Sequence, residues 1–399
     1  MTADPWDVSR AALYRDGTWH EPFRELRAKA PVHYVEDSDF GPYWSISTFD
    51  PIVKVESLPD LFSSADGITI ASVPPDGVRT PMFIAMDRPK HTGQRRTVAP
   101  AFAPGEMARL SADIRARTAE VLDALPVGES FDWVDRVSIE LSTQMLAILF
   151  DFPWEDRRKL TLWSDWAGDV EAMRDPVRRQ DRLIHVRACA AYFQNLWNER
   201  VDAGPKPDLI SRMIHSEAMR DMDPLEFIGN LILLIVGGND TTRNSMTAYA
   251  YGLDCYPDQR ARLEADPALA PSAVSEIIRW QTPIAHMRRT ATRDTELEGQ
   301  SIRAGDKVIL WYLSANRDES VFPDADRIII DRPNARRHLA FGHGIHRCVG
   351  ARLAELQITV LLDEMAKRRL RANVTGEPER VAACFVHGYR QLPVELSRY

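Results

Sequence analysis

One cysteine, Cys348, stands among three glycines and two histidines in the stretch FGHGIHRCVG, residues 341–350. The residues after it, VGARLAELQITVLLDEMAKR, have the apolar spacing of a helix, which places Cys348 at or just before a helix N-terminus. Unpaired backbone N–H groups and the positive end of the helix dipole stabilise a thiolate there. Gly342 and Gly344 permit positive φ angles, and Gly350 leaves the first turn bare. The stretch therefore predicts an activated sulfur beside space for something large and flat.

The local residues leave three interpretations of Cys348 open. It is a buried structural cysteine in a glycine turn, a nucleophile with His346 as its base, or the thiolate ligand of a haem iron. We find no separate His/Asn arrangement that would complete a nucleophilic site, and sequence neighbours rarely form such a dyad. His346 and Arg347 add cationic character, which suits carboxylates on a flat group.

An acid and an alcohol, Asp240 and Thr241, follow two adjacent glycines in GGNDTT, residues 237–242. The surrounding sequence, from Pro224 to Pro257, reads as one helix of about nine turns. It is apolar nearly all round and is therefore expected to be buried. Each glycine weakens a helix by about 1 kcal/mol relative to alanine. Their place in mid-helix indicates either close helix packing or the approach of another group.

Two further pairs have helical spacing. Glu276 and Arg279, in EIIR, lie three residues apart, and His91 and Arg95, in HTGQRR, lie four apart. Residues at these spacings share one helix face, so the first pair predicts an ion pair. Taken alone, a surface salt bridge explains the first pair better, and an exposed basic turn explains the second.

In their order along the chain, these stretches resemble the cytochromes P-450 of the bacterial, ferredoxin-dependent type. The family's haem-binding signature, Phe-x-x-Gly-x-(Arg/His)-x-Cys-x-Gly, is filled by Phe341, Gly344, His346, Cys348 and Gly350. The resemblance extends over essentially the whole chain. It implies a single haem domain, residues 1–399, in which haem b is held by Cys348 as the metal ligand.

The resemblance also implies which residues surround the haem. The register of Arg289 as a propionate partner is open by one residue, because Arg288 precedes it. By the same resemblance, Glu276 and Arg279 form a buried structural pair, joined by Arg327 as a third member. The cofactor-binding residues implied are His91, Arg95, Arg289, His346, Cys348, Phe341, Gly342 and Gly350.

The implied activity is that of a haem-thiolate monooxygenase, an oxidoreductase that inserts one oxygen atom of O2 into a C–H bond of a small apolar substrate. Asp240 and Thr241 match the family's catalytic acid–alcohol pair. Thr241 would hydrogen-bond dioxygen, and Asp240 would help to deliver protons. Electrons would come from a separate iron–sulfur ferredoxin and an NAD(P)H-dependent reductase.

The stretches GGNDTTRNSMT, PIAHMRRTA and KVILWYLSANRD resemble most closely the bacterial subfamily that hydroxylates n-alkanes and fatty acids at the chain terminus. A bulkier terpenoid, steroid or aromatic substrate is the alternative, and a non-catalytic haem-binding protein is the alternative of another class. Plain core packing explains each apolar candidate at least as well. The candidate substrate-pocket residues are Ile68, Ile70, Met82, Phe83, Met86, Leu233, Val236, Gly237, Ile284, Met287, Phe385 and Val386.

Around these residues the sequence predicts a mainly α fold with a smaller β-sheet region. The β-rich part is expected mainly at 30–75 and 285–315 and near the C-terminus, and the helical part mainly at 90–285 and 349–370. A polar loop rich in proline and glycine is expected at 64–90, and so long a loop is often functional. The resemblance implies the cytochrome P-450 fold, with the haem between the long central helix and the cysteine-loop helix.

Composition limits the partners and the location. The formal net charge is −8, so nucleic acid is not an expected partner. Four cysteines lie far apart without a disulfide framework, which fits a reducing compartment, and the cytoplasm is the expected location. The apolar run LILLIV, residues 231–236, is too short to span a bilayer, so no integral membrane association is expected.

Overall fold

The structure, a computed structural model, describes residues 4–73 and 79–399. Over these residues it is mainly helical with smaller sheets, which confirms the fold class predicted from the sequence. The helices are α1 (Ala11–Arg15), α2 (His20–Lys29), α3 (Phe49–Glu56), α4 (Lys90–Val98), α5 (Pro104–Asp123), α6 (Glu140–Phe150), α7 (Arg158–Gly168), α8 (Pro176–Arg200), α9 (Leu209–Ile214), α10 (Pro224–Cys255), α11 (Pro257–Ala265), α12 (Ala270–Gln281), α13 (Tyr312–Ala315) and α14 (Ala351–Lys367). The strands are β1 (Val32–Val35), β2 (Tyr43–Ile46), β3 (Phe62–Ser63), β4 (Ser130–Asp132), β5 (Met287–Ala291), β6 (Thr295–Leu297), β7 (Gln300–Ile302), β8 (Lys307–Leu310), β9 (Leu370–Val374), β10 (Glu379–Arg380), β11 (Tyr389–Gln391) and β12 (Pro393–Arg398).

The central element is α10. Asp223 caps its N-terminus by accepting hydrogen bonds from the backbone N–H groups of Leu225 and Glu226. Pro224 occupies the first turn, where no N–H is needed, and Pro257 opens the next helix beyond its end. α10 packs against α6, α7, α12 and α14. It is therefore buried on most faces, as its apolar sequence predicts.

The largest sheet has the strand order β1-β2-β8-β5-β3. β5 and β8 are antiparallel, with Arg289 opposite Val308 and Arg288 opposite Ile309. Since side chains alternate between the two faces of a strand, Arg288 and Arg289 lie on opposite faces. Val308 belongs to the apolar cluster that includes the buried residues of α3, while Ile309 belongs to another cluster. The sheet therefore directs Arg289 towards α3.

The cysteine loop, residues 341–350, leads directly into α14. Gly350 is the N-cap residue of this helix, so Cys348 lies just before a helix N-terminus, as predicted. α14 packs against α5, α10 and α12, which joins the cysteine loop to the central helix. Among the described helices, none is long and apolar enough to cross a membrane.

The described part of the loop at 64–89 contacts other elements near both of its ends. Near its C-terminal end it crosses α10 at Gly229, where a Cβ would lie 1.9 Å from the carbonyl oxygen of Pro81. Near its N-terminal end, the N–H of Arg288 donates to the carbonyl oxygen of Ile68 at 2.8 Å. The loop therefore connects β5 with the N-terminal half of α10.

Candidate functional site

The cysteine loop is closed by a hydrogen bond from the Cys348 N–H to the carbonyl oxygen of Phe341 at 2.8 Å. Gly342 and Gly344 have φ angles of +66° and +64°, a region that L side chains disfavour. A Cβ on Gly344 would also lie 2.2 Å from the carbonyl oxygen of Glu56. Glycine is therefore required at Gly344 by both the backbone conformation and the close approach of α3.

The surroundings of Cys348 supply partial and full positive charges. The backbone N–H groups of Gly350 and Ala351 lie beside its Sγ at the start of α14. Burial raises the pKa of the thiol, whereas these two N–H groups and the guanidinium groups of Arg95 and Arg347 lower it. Amide dipoles and cations of this kind favour the thiolate form that binds a metal.

Beside the loop lie two imidazole rings, those of His91 and His346, with centroids 4.3 Å apart. All four ring nitrogens are buried and have no hydrogen-bond partner among the described residues. Burial, together with the positive charges of Arg289, His91 and Arg95, lowers the pKa of His346 to about 2. Because buried polar groups are nearly always paired, these rings indicate that an anionic group belongs beside them.

The two arginines on β5 have different surroundings. Arg289 lies close enough to His346 to lower its pKa, whereas Arg288, on the opposite face, contacts the hydroxyl of Ser72 at 3.3 Å. Arg95, one turn after His91 on α4, contributes a second cationic side chain. The predicted propionate partners that the structure brings together are His91, Arg95, Arg289 and His346.

These features fit haem b. Two propionate carboxylates would satisfy the orphan ring nitrogens and offset the clustered positive charge. The Cys348 thiolate would hold the iron. The missing side chains of Gly342 and Gly344, in contrast, make room for Tyr312 and Glu56 rather than for the porphyrin. Phe341, the first residue of the loop, is partly buried, and its ring centroid lies 5.2 Å from that of His338.

A residue that sequence reasoning missed, Glu56, lies under the cysteine loop and is 4% exposed. It accepts hydrogen bonds from Arg289, from the hydroxyl of Tyr312 and from the N–H of His343. These partners lie at least 233 residues further along the chain, so no local spacing reveals them. The one available signal was that a carboxylate follows Ile52 by one helical turn on the apolar face of α3.

The two mid-helix glycines of α10 serve different purposes. A Cβ on Gly238 would lie 2.7 Å from the side chain of Leu146 on α6, so this glycine permits close helix packing. Gly237 has nothing within 4 Å of a Cβ and is exposed. It lies on an accessible stripe with Leu233 and Thr241, four residues before and after it, on an otherwise buried helix. The hydroxyl of Thr241 donates to the carbonyl oxygen of Gly237 at 2.7 Å.

Asp240 points away from this accessible stripe, towards α7. Its Oδ1 lies 3.0 Å from Nη2 of Arg243, which in turn lies 2.8 Å from Oδ1 of Asp165 on α7. Burial raises the pKa of Asp240 to about 6, Arg243 opposes this rise, and Asp165 adds to it. The side chain of Asp165 is half exposed. A chain of charged groups therefore links Asp240 to the protein surface.

The predicted substrate-pocket residues are divided between accessible and core positions. Val236 and Val386 both lie 3.7 Å from the Cβ position of Gly168 at the end of α7, and Ile284 pairs with Val386 through a β-bridge. The structure places the following candidates in the packed core: Ile70, Phe83, Met86, Ile284, Phe385 and Val386. The other candidates, with more accessible surface, are Ile68, Met82, Leu233, Val236, Gly237 and Met287.

The prediction of Arg327 as the third member of the Glu276–Arg279 pair is wrong. Arg279 Nε donates to Glu276 Oε2 at 2.8 Å, and both residues are fully buried. The third member is Arg332, whose Nε lies 3.0 Å from Glu276 Oε1. Arg327 has a side chain 56% exposed, near Asp258. Arg327 and Arg332 stand five residues apart in one irregular segment, so spacing alone did not distinguish them.

Comparison with known proteins agrees with this geometry. The cytochrome P450 family model matches residues 267–368. The chain is 73% identical to CYP153D17 from Sphingomonas sp. PAMC 26605, whose solved structure superposes with a TM-score of 0.95 over 99% of this chain and 100% of that one. It is 35% identical to the linalool 8-monooxygenase of Pseudomonas putida over 98% of each chain. It is also 34% identical to the methyl-branched lipid omega-hydroxylase of Mycobacterium tuberculosis, over 96% of this chain and 91% of the relative.

These relatives are named as a monooxygenase and a hydroxylase, and both match the chain over nearly its whole length. The haem b and thiolate ligation predicted from the sequence are those of the family. The chain belongs to the cytochrome P450 family, as a haem-thiolate monooxygenase.

Proposed function

We propose that the protein hydroxylates the terminal (omega) carbon of n-alkanes or fatty acids. The observation that carries the proposal is the apolar character of the accessible stripe of α10, which includes Leu233. Beside the stripe, Val236 stands near Val386, which pairs with Ile284. Walls of this kind select a substrate by shape and apolar contact rather than by hydrogen bonds. The likeness to a relative named as a lipid omega-hydroxylase supports a chain-like substrate.

In this proposal the haem, when bound, supplies the oxidising chemistry, and the protein's residues position the substrate and handle protons. A terminal methyl C–H bond is stronger than an internal one, so narrow walls must hold the chain end in place. Thr241 lies on the accessible stripe, where its hydroxyl would turn from the Gly237 carbonyl to donate to dioxygen. Asp240, whose pKa is raised to about 6, would hold the proton to be delivered, and Arg243, paired with Asp165, would orient its carboxyl group.

A binding-spectrum screen followed by product analysis tests the substrate. We expect members of an n-alkane and a fatty-acid series to shift the Soret band of the ferric protein and to give the terminal alcohol as the main product. Internal alcohols as the main product would contradict the proposal, as would the absence of any shift in both series.

A pocket variant tests whether the apolar walls select chain length. Val236→Phe enlarges a side chain that lies near Val386, so the best-bound chain should become shorter. Val127→Phe, at a position 50% exposed, is the matched control and should leave the preference unchanged. Equal preferences in the two variants would remove Val236 from the pocket.

A terpenoid substrate is the second candidate, favoured by the 35% identity with a relative named linalool 8-monooxygenase. Linalool therefore belongs in the same screen. Tighter binding and faster turnover of linalool than of every alkane and fatty acid tested would replace the first proposal with this one.

We propose that electrons arrive from a separate iron–sulfur ferredoxin, reduced by an NAD(P)H-dependent reductase. Around the cysteine loop, five exposed arginines have no carboxylate within 4.0 Å among the described residues: Arg96, Arg336, Arg337, Arg347 and Arg352. Such a basic face would attract a small acidic protein and speed its association at low salt.

Charge reversal tests this docking face. Arg352→Glu should raise the ferredoxin concentration needed for half-maximal turnover and weaken its dependence on salt. Arg303→Glu, an equal charge change on an exposed arginine after β7, serves as the control. Indistinguishable ferredoxin dependence in the two variants would move the docking site away from the cysteine loop.

A further inference from the structure

The carboxylate of Glu56 is the meeting point of three separate segments. Its Oε1 accepts hydrogen bonds from Nη2 of Arg289 at 2.9 Å and from the hydroxyl of Tyr312 at 2.5 Å. Its Oε2 accepts the N–H of His343 at 2.7 Å. Burial of a carboxylate is costly unless donors and a cation compensate it. With all three present, Glu56 ties β5 and α13 to the cysteine loop.

The backbone of the same residue also supports the loop. The carbonyl oxygen of Glu56 lies so close to Gly344 that a Cβ there would be 2.2 Å away. Its side chain binds the preceding N–H, that of His343. The end of α3 therefore contacts two adjacent residues of the loop, four and five positions before Cys348.

Arg289 needs a carboxylate to stay in place. The titratable groups that face it from the neighbouring elements are the carboxylate of Glu56 on α3, the hydroxyl of Tyr312 on α13 and the neutral imidazole of His346 in the cysteine loop. Among the described residues, Glu56 is the carboxylate within 4.0 Å of its guanidinium. Removal of that carboxylate would leave a buried cation, 4% exposed, without its ion-pair partner.

We propose that Glu56 is a positioning residue for the haem. Its carboxylate would hold Arg289 where the guanidinium can bind the propionates, and it would hold the cysteine loop where Cys348 can bind the iron. This role rests on the haem placement proposed above and is independent of the substrate. It predicts that Glu56 controls both the retention of haem and its reduction potential. Groups that orient a metal's ligands commonly change metal affinity by about 10- to 100-fold when they are lost.

The Glu56→Gln variant of the holoenzyme provides the test. The amide keeps the shape and one acceptor oxygen but removes the negative charge that balances Arg289. We expect a higher ferric/ferrous reduction potential, because net positive charge near the haem favours the more reduced form. We also expect haem transfer to a scavenging globin to be faster by about 10-fold or more.

Glu364→Gln is the matched control. Glu364 is also a fully buried carboxylate, held between Arg115 and Arg368, but it lies on α14 sixteen residues after Cys348. This variant should lose stability without a change of potential. Equal potentials and equal rates of haem loss in the Glu56 and Glu364 variants would overturn the proposal.

Two further measurements keep the proposal testable if Glu56→Gln folds poorly. Glu56→Asp keeps the charge and should retain a potential close to that of the wild type; a shift as large as that of a neutral variant would count against the role. A cleft lined by Ser57, Leu58 and Ile345 reaches Glu56, so formate should slow haem loss from Glu56→Ala. Failure of formate at saturating concentration to slow it would also count against the role.

Failure of the haem placement is distinguishable from failure of this role. A misplaced haem would show in the wild type, as a ferrous–carbon monoxide spectrum without the red-shifted thiolate band. A wrong role for Glu56 would leave that band unchanged in the wild type and the potential unchanged in Glu56→Gln.

Discussion

On the cysteine side of the site, contacts from distant segments hold the backbone in one conformation. The carbonyl oxygen of Glu56 lies against Gly344, and its carboxylate binds Arg289 and the loop N–H of His343. On the central-helix side, Gly237 has no neighbour within 4 Å of a Cβ position, and Thr241 bonds only within its own helix among the described residues. The cysteine side therefore has a fixed geometry, whereas the central-helix side offers open space and groups that can handle protons.

This difference separates two kinds of functional residue. On the cysteine side, Glu56 and Arg289 stabilise the fold as well, because each pairs with the other within the protein. Asp240, in contrast, lowers the stability of the fold when it is ionised, since burial disfavours the charged carboxylate and raises its pKa. Variants on the cysteine side should therefore lose haem and stability together, whereas variants on the central-helix side should keep the haem and change turnover.

The largest expected loss of stability is at the buried charge cluster before the cysteine loop. Arg332→Ala leaves Glu276 with one cation fewer and should lower the free energy of unfolding by about 3–5 kcal/mol. Arg327→Ala, at an exposed position, should change it by less than about 0.5 kcal/mol. Urea unfolding of the two holoproteins measures the difference, and equal losses would restore Arg327 to the cluster.

A smaller loss is expected at the loop itself. Gly344→Ala combines a φ of +64° with a contact of 2.2 Å to a backbone oxygen, so we expect a loss of about 2–4 kcal/mol and release of haem. Gly299→Ala has a similar φ of +76° but open space around its Cβ and should cost about 1 kcal/mol. Haem content after gel filtration compares the two variants, since Gly299→Ala has backbone strain alone and Gly344→Ala also disturbs the close contact. Full haem content in Gly344→Ala would contradict the conclusion that contacts fix the conformation of the cysteine loop.

On the central-helix side, Asp240→Asn should become more stable relative to the wild type as the pH rises. A raised carboxyl pKa means that the folded wild type loses stability as pH climbs from the ordinary value of 3.8 through about 6. The variant lacks this loss, so its free energy of unfolding relative to the wild type should rise by about 2–3 kcal/mol across that range. Unfolding at a series of pH values measures it, and a difference that does not change with pH would contradict the burial effect.

The smallest effect on stability is expected for Thr241→Ala, which removes one hydrogen bond within a helix. Haem content should stay unchanged, while hydrogen peroxide released per NADH should rise, because dioxygen would lose a hydrogen-bond donor. Thr242→Ala, at the neighbouring buried position, is the control and should keep the wild-type coupling. Unchanged coupling in Thr241→Ala would remove the proposed proton-handling role.

The parts of the site that could be predicted from the sequence are those that depend on residues close together in the chain. The positive φ angles of Gly342 and Gly344 and the helix after Cys348 follow from local sterics and local periodicity. Glu56 and Arg332 could not be found in this way, because their partners come from remote segments and nothing in their spacing marks them. Similarly, the different roles of the two glycines of α10 depend on α6, a separate segment that packs against Gly238 and not against Gly237.

The most direct test of the account is the ferrous–carbon monoxide spectrum of the wild type, Cys348→Ala and Cys384→Ala. Cys384 is a fully buried cysteine away from the loop and controls for the loss of any thiol. We expect a red-shifted thiolate Soret band in the wild type and in Cys384→Ala, and its loss in Cys348→Ala. Survival of that band in Cys348→Ala would contradict the assignment of Cys348 as the iron ligand.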